Sequence, residues 1–176
     1  MLRSYQNLDD RELNNCKQPE VFKKLLFGFC IFHAIIQERR KFGPIGWNVG
    51  YDFTNEDLNV CKRQLKLFLD EYDHVPYKVI NYLGAEINYG GRVTNDKDKT
   101  LISEIIQTYI RPEALADNYA YSVSGIYYSP PADDQSSYIR YIEALPLNVQ
   151  PEAFGMHDNA DITNAQNETR ELLENV

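Results

Sequence analysis

The run Leu25–Ile36, Leu-Leu-Phe-Gly-Phe-Cys-Ile-Phe-His-Ala-Ile-Ile, is apolar almost all the way round a helix. A helix with no polar stripe has to be covered on every side by protein or by lipid. Lipid does not fit. A membrane span takes about 20 apolar residues, and this run is shorter, with Lys23-Lys24 in front and Gln37-Glu38-Arg39-Arg40-Lys41 behind. The segment is therefore expected to be the central helix of a packed helical domain. It should run from Pro19-Glu20, which suit a first turn, to about Phe42, where Gly43-Pro44 halts it. Phe27, Phe29, Ile31 and Ile35 should all be wrapped by surrounding helices.

The rest of the chain reads as a mainly α bundle of about seven helices. Residues 1–18 form a lead-in with one helical turn over Asp9–Leu13, residues 19–116 the helical core, and residues 117–176 a loop followed by C-terminal helices. Ile45 to Phe53 is a turn-rich connector around a buried Trp47. Thr54 caps the next helix, with Asp57 three residues on as in a capping box. Leu58, Cys61, Leu65, Phe68, Leu69 and Tyr72 keep helical spacing behind it. Val75-Pro76 opens a further helix with Val79, Ile80, Leu83 and Ile87 on one face, ended by Gly90-Gly91. Thr94 is expected to cap the following helix, whose stripe is Leu101, Ile102, Ile105, Ile106 and Tyr109, closed by Arg111-Pro112. The aromatic, Ser-rich stretch 119–130 reads as irregular, with a short β-hairpin at Ser124-Gly125. Helix returns over 133–145 until Pro146. Pro151–Phe154 is a turn, and Thr163 to about Glu174 a last helix with Gln166 completing a capping box.

Charge excludes some partners. With 26 acidic against 18 basic residues the net charge is −8, the wrong sign for nucleic acid, for other acidic polymers or for a membrane surface. Three widely spaced cysteines, Cys16, Cys30 and Cys61, fit a reducing, intracellular setting rather than a disulfide framework. No secretion signal is visible, so Asn167-Glu168-Thr169 is a chance match to a glycosylation acceptor.

Candidate sites are sparse. No phosphate loop is present; Gly90-Gly91-Arg92 is the Gly-rich candidate, either a helix-ending turn with a surface arginine or an arginine poised to touch an anion or a neighbouring domain. His33, His74 and His157 lack metal-ligand spacing, with His33 read as a core residue and the other two as exposed. Asp70-Glu71-Asp73 reads as a solvated face and Asp133-Asp134 as a helix start. Arg39-Arg40-Lys41 is either a docking patch or a set of cations complementing a helix C-terminus. Tyr119–Tyr128 is the best candidate contact surface, unless it wraps the chain's own core. No catalytic residue, cofactor site or metal site emerges.

Three long stretches carry a resemblance: "LLFGFCIFHAIIQERRKFGPIGWNVGYDF", "RQLKLFLDEYDHVPYKVINYLGAEINYGGRVTNDKDK" and "GIYYSPP...YIRYIEALPLNVQPEAFGMHDNADI". In this order they resemble the C-terminal motor region of dynein heavy chains, at the helical lid subdomain of the sixth AAA+ module. The wording FGPIGWN and FGMHDNADI is closer to axonemal than to cytoplasmic members. Departures fall at Asn95-Asp96-Lys97-Asp98, where a tryptophan is usual, and at Gly50, where proline is frequent.

The resemblance implies a single AAA+ lid-type helical domain over 1–176. It implies a non-catalytic structural and coupling element of the ring of an ATP-driven, minus-end-directed microtubule motor, in the axoneme of a cilium or flagellum. ATP and Mg would belong to other modules, so no cofactor is expected here. Partners would be neighbouring AAA+ modules, the C-terminal domain and possible accessory dynein chains, with no direct microtubule contact. Arg92 falls near the nucleotide-sensing arginine of other AAA+ lids and is expected to be structural or interfacial. The alternatives are a nucleotide-responsive lid using Arg92, or docking of an accessory chain through Tyr119–Tyr128, which replacing Tyr127 and Tyr128 by Ala would test. Whole dyneins run to thousands of residues, so the chain is expected to be an excised piece in which Met1 is a cloning start.

Overall fold

The computed structural model describes residues 1–147, 149–157 and 159–174, without the side chains of Thr163, Asn164, Asn167 and Glu171. The side chain of Asn167, the acceptor of the glycosylation match, thus lies outside what is described. Eight α-helices occur among the described residues: α1 Leu2–Gln6, α2 Asp10–Asn14, α3 Pro19–Glu38, α4 Asn55–Glu71, α5 Tyr77–Tyr82, α6 Asp96–Tyr109, α7 Gln135–Ala144 and α8 Ala160–Glu174. One antiparallel hairpin joins β1 Tyr119–Ala120 to β2 Tyr128–Ser129, pairing Tyr119 with Ser129 and Ala120 with Tyr128. Its turn passes through Gly125 at φ 74, a conformation that costs glycine nothing. The mainly α expectation and the short hairpin both hold.

Helix α3 is the axle. Phe27 and Phe32 are fully buried, and Phe29, Ile31 and Ile35 are at most 6% exposed. Each such side chain stabilises the fold by roughly 1.5–3 kcal/mol relative to an exposed one. Helices α2, α4 and α6 and strand β2 pack around α3, while α1 lies against α7. One apolar core runs without a break from Tyr5 to Ala160. Gly28 explains how closely α3 meets α6: a Cβ there would sit 2.7 Å from the Tyr109 carbonyl oxygen.

Several element ends differ from the sequence expectation. The α-helical part of α3 stops at Glu38 and tightens into a 3-10 stretch over Arg39–Ile45, with Gly43 at positive φ. The lead-in holds two short helices, and Asp9 caps the second by accepting from the Glu12 amide at 2.7 Å. Helix α6 is capped by Asn95, not Thr94, through bonds from the Lys97 and Asp98 amides. Helix α8 begins at Ala160, so Thr163 lies inside it and is not its cap. The α4 capping box of Thr54 and Asp57 is as expected, although Tyr72 at the end of its stripe is 48% exposed.

The largest departure follows α5. Leu83–Asn88 is π-helical, closed by a bond from the Tyr89 amide to the Gly84 carbonyl at 3.0 Å. A π turn accommodates one extra residue per hydrogen bond, so the inward positions become Ile80, Ala85 and Tyr89, all at most 3% exposed. Val79 and Ile87, expected inside on α-helical spacing, stand 45% and 50% exposed.

His33, on α3, is buried and contacts the Tyr89 hydroxyl through Nδ1 at 3.0 Å. Burial pushes its imidazole down to about 4 from its ordinary 6.5, against a smaller opposing effect of the Asn55 side chain. Neutral His33 is thus the folded form, and the unfolded chain takes up the proton first. Its stabilising contribution is complete above pH 6.5 and is lost as the pH falls towards 4, reaching about 3 kcal/mol at the acid limit. Urea midpoints at pH 7 and pH 5 should therefore differ more for the parent chain than for His33→Gln.

Candidate functional site

The connector between α3 and α4 is joined by side-chain chemistry to the segment from Arg92 to Asp98, and Arg92 sits in this seam. The π turn and the 3-10 turn Gly90–Arg92 carry the chain round until Arg92 faces the start of α4. Arg92 Nε donates to both Asp57 oxygens, at 3.2 and 3.0 Å, and Nη2 reaches Thr54 Oγ1 at 3.4 Å. Asp57 also accepts from the Thr54 amide at 2.7 Å and the Thr54 hydroxyl at 3.2 Å. The carboxylate therefore caps α4 and pins Arg92 at once. Its side chain is 9% exposed and that of Arg92 45%.

An anion approaching Arg92 would have to compete with a carboxylate already in contact. Removing the arginine leaves Asp57 capped by Thr54, so Arg92→Ala is expected to lower stability by only about 1 kcal/mol in urea unfolding. Arg92→Lys should recover part of that loss.

Asp98, in the first turn of α6, is the centre of the same seam. It is 1% exposed. Its oxygens accept from the Asn48 amide at 3.1 Å, Asn48 Nδ2 at 3.0 Å, the Val49 amide at 3.3 Å and the Tyr51 hydroxyl at 2.8 Å. Tyr51 Oη in turn accepts from the Asn95 amide at 3.2 Å. Nothing local to Asp98 signals this, because its partners lie about 50 residues away.

The basic run does not form a patch. Arg39 is 4% exposed. Its guanidinium donates to the Gly46 carbonyl at 3.2 Å and to the Phe154 carbonyl, and lies 5.5 Å over the Trp47 ring. Burial lowers it to about 10, so it keeps its proton at neutral pH. Arg40 pairs with exposed Asp52 at 2.8 Å and Lys41 with Glu38.

The tyrosine-rich hairpin also turns inward. Tyr127 is 4% exposed, and Tyr128 lies 4.6 Å from Tyr141, centroid to centroid. Tyr121 packs on Phe27 and Tyr109. The large side chains that face solvent at the hairpin tip are aliphatic, Val123 and Ile126, on either side of exposed Ser124 and Gly125.

Asp70 binds the Lys17 amide at 2.8 Å and Lys66, whereas Glu71 and Asp73 are exposed. Asp134 caps α7 through the Ser137 amide. His74 lies beside Tyr72, and exposed His157 accepts from the Asn159 amide. Burial raises the Cys30 and Cys61 thiols to about 12, which keeps them unreactive at neutral pH. A cleft of about 450 Å³ is lined by Glu20, Lys24, Leu115 and Asp117 among others. Its buried Lys24 is held by Asp117 at 2.5 Å, which ties α3 to the chain entering the hairpin. Among the described residues, no three His, Cys, Asp or Glu side chains gather as a metal-binding group, and no helix is long and apolar enough to cross a membrane.

The profile of the dynein heavy chain AAA lid domain matches residues 22–160. The chain belongs to the dynein heavy chain AAA lid family. It is 52% identical over 174 residues to dynein axonemal heavy chain 1 of Homo sapiens, which covers 98% of this chain and 4% of that protein. Dynein axonemal heavy chain 3 of Mus musculus is 44% identical over the whole chain and 4% of its own length. Dynein axonemal heavy chain 12 of Mus musculus is 43% identical over 96% of the chain and 6% of its own length. The chain thus spans about a twentieth of the relatives it matches. The AAA lid match begins at Phe22, near the start of α3, and ends at Ala160, the first residue of α8. The seam, the buried Arg39 and the hairpin all fall within it.

Proposed function

We propose that this chain is a single lid-type domain over 1–176 serving as a structural, non-catalytic coupling element in the AAA+ ring of an axonemal dynein heavy chain. In that setting it belongs to an ATP-driven, minus-end-directed microtubule motor of a cilium or flagellum. The end-to-end similarity to proteins described as axonemal dynein heavy chains carries this reading. The physical support is the seam. Asp98 and Asp57 fasten successive elements across 35–50 residues of sequence, and a close-packed body moves as a unit rather than absorbing displacement.

The partners in this reading are the neighbouring AAA+ modules and the C-terminal domain of the same heavy chain, with accessory dynein chains as further candidates. No microtubule contact and no cofactor of its own are assigned to it; ATP and Mg belong to other modules. The bond from Arg92 to Asp57 favours a structural or interfacial arginine over one that senses phosphate.

Electron cryo-microscopy of the intact heavy chain in ATP- and ADP-bound states tests the proposal. Residues 19–144 should superpose between states within about 1 Å, as preorganised protein bodies do. An internal hinge between α4 and α6 would overturn it.

A further inference from the structure

The cleft beside Lys24 plays no part in the coupling role. It lies where three segments meet: the first turns of α3 with Glu20, Val21 and Lys24, the chain entering the hairpin with Leu115 and Asp117, and Pro131-Ala132 beyond β2. Its volume is about 450 Å³. The uncharged walls, Val21, Leu115, Pro131 and Ala132, are apolar.

Two independent observations point to a visitor. The first is the buried ammonium. Lys24 is 4% exposed, and its Nζ donates to Asp117 Oδ1 at 2.5 Å, its one hydrogen bond among the described residues. An ammonium carries three donors, and Lys24 lines the cleft, so an acceptor seated there would satisfy the donors that Asp117 leaves. The second is charge. Asp117 matches Lys24, and its side chain is 62% exposed, which leaves Oδ2 open. Glu20 is exposed and without an ion-pair partner among the described residues. Exposed Asp133 and Asp134 follow directly on Ala132, offset in part by Lys23 and Arg140, which act on Asp134.

We propose that this cleft receives an arginine side chain from another protein segment. The guanidinium pairs with Glu20 and the open oxygen of Asp117, the aliphatic stem lies on the apolar walls, and the main-chain carbonyl of the same residue accepts from Lys24. A visiting anion would meet two carboxylates. A lysine would bring a compact, strongly hydrated charge without the planar fork that bridges carboxylate oxygens. Lys24 is a positioning residue in this site: it holds Asp117 at the cleft while its own charge is matched. The site stands whether or not the chain sits in a ring.

The experiment is a nuclear magnetic resonance titration of the isotope-labelled 176-residue chain with N-acetyl-arginine amide, and with the matching lysine and glutamate amides. The arginine probe should give saturable shifts confined to the backbone amides of Glu20–Lys24, Leu115–Asp117 and Ala132. The lysine probe should bind several-fold more weakly and the glutamate probe not at all. Glu20 is exposed, so Glu20→Gln leaves the fold intact and should weaken arginine binding by about two- to fivefold, the size of an exposed ion pair. Ala132→Trp, which narrows the cleft without touching a charge, should weaken it at least as much. No saturable shift, binding unchanged in Glu20→Gln, or a lysine or glutamate probe that binds as tightly as arginine overturns the site. So do shifts spread over exposed Glu71 and Asp73, which would mark attraction to any acid of the chain. If Ala132→Trp does not fold, Glu20→Gln and the three probes decide by the same criteria.

Discussion

Replacing Asp98 with alanine is expected to lower the unfolding free energy by about 3–5 kcal/mol, measured by urea denaturation at neutral pH. The size follows from what is left behind. Two backbone amides, the Asn48 side-chain amide and the Tyr51 hydroxyl all point at a carboxylate that is 1% exposed. Hydrogen bonds to a charged acceptor contribute about 1.5–3 kcal/mol each, and an orphaned buried donor costs its desolvation. The first turn of α6 also loses an acid that complements the helix dipole. Asp98→Asn tests the role of charge: it keeps the shape but turns an amide NH₂ towards donors, so it should recover less than half the loss. Tyr51→Phe removes one of the four bonds to the carboxylate and the acceptor of the Asn95 amide, and should cost about 1.5–3 kcal/mol. A loss below 1 kcal/mol in Asp98→Ala would mean that the connector is held by packing of Trp47, Tyr51 and Phe53 alone.

A loss of similar size, about 3–5 kcal/mol, is expected for Phe27→Ala, paired with an opposite result one ring away. Phe27 is fully buried and meets Tyr5, Tyr121, Tyr138 and Tyr141 at centroid distances of 5.6–6.5 Å. Truncation removes the hub between α1, α7 and the hairpin, and a cavity bounded by four rings collapses poorly. Tyr5 lies in the same cluster, stacked on Tyr138 at 5.1 Å. Its hydroxyl is buried without a hydrogen-bond partner among the described residues, and burial raises its pKa well above the usual phenol. Tyr5→Phe keeps the stack and removes the unsatisfied oxygen, so stability should be unchanged or slightly higher. Thermal unfolding of both variants against the parent checks the pair. A destabilised Tyr5→Phe would show that the hydroxyl has a partner, such as ordered water.

Much of the fold was legible where local signals agree. The all-round apolar character of Leu25–Ile36 located the axle, and Thr54 with Asp57 located the start of α4. The Ser124-Gly125 turn located the hairpin. Failures came where one residue changes the period or where a long-range contact decides. Nothing in Leu83–Asn88 marks a π turn, so the α-helical spacing of Ile87 pointed to the wrong face; Val79 lies ahead of the turn, where Ile80 faces inward instead. Asn95 displaced Thr94 as the cap because its side chain reaches two amides at once. Arg39 looked like one cation in a row of three; its burial depends on Trp47 and on Phe154, 115 residues away. The seam was half visible: Arg92 was singled out, but its partner Asp57 was seen only as a cap, and Asp98 not as an anchor.

The π-helical stretch also sets a length rule for this part of the chain. Each residue of an α-helix turns the backbone by about 100°, so deleting one residue between Gly84 and Asn88 would restore ordinary winding and swing everything beyond it by that angle. Arg92 would leave Asp57, and Tyr89 would leave His33. Exposed Glu86 and Ile87 can therefore vary freely in side chain, whereas a single-codon loss in the stretch would be felt both at the start of α4, through Asp57, and on α3, through His33.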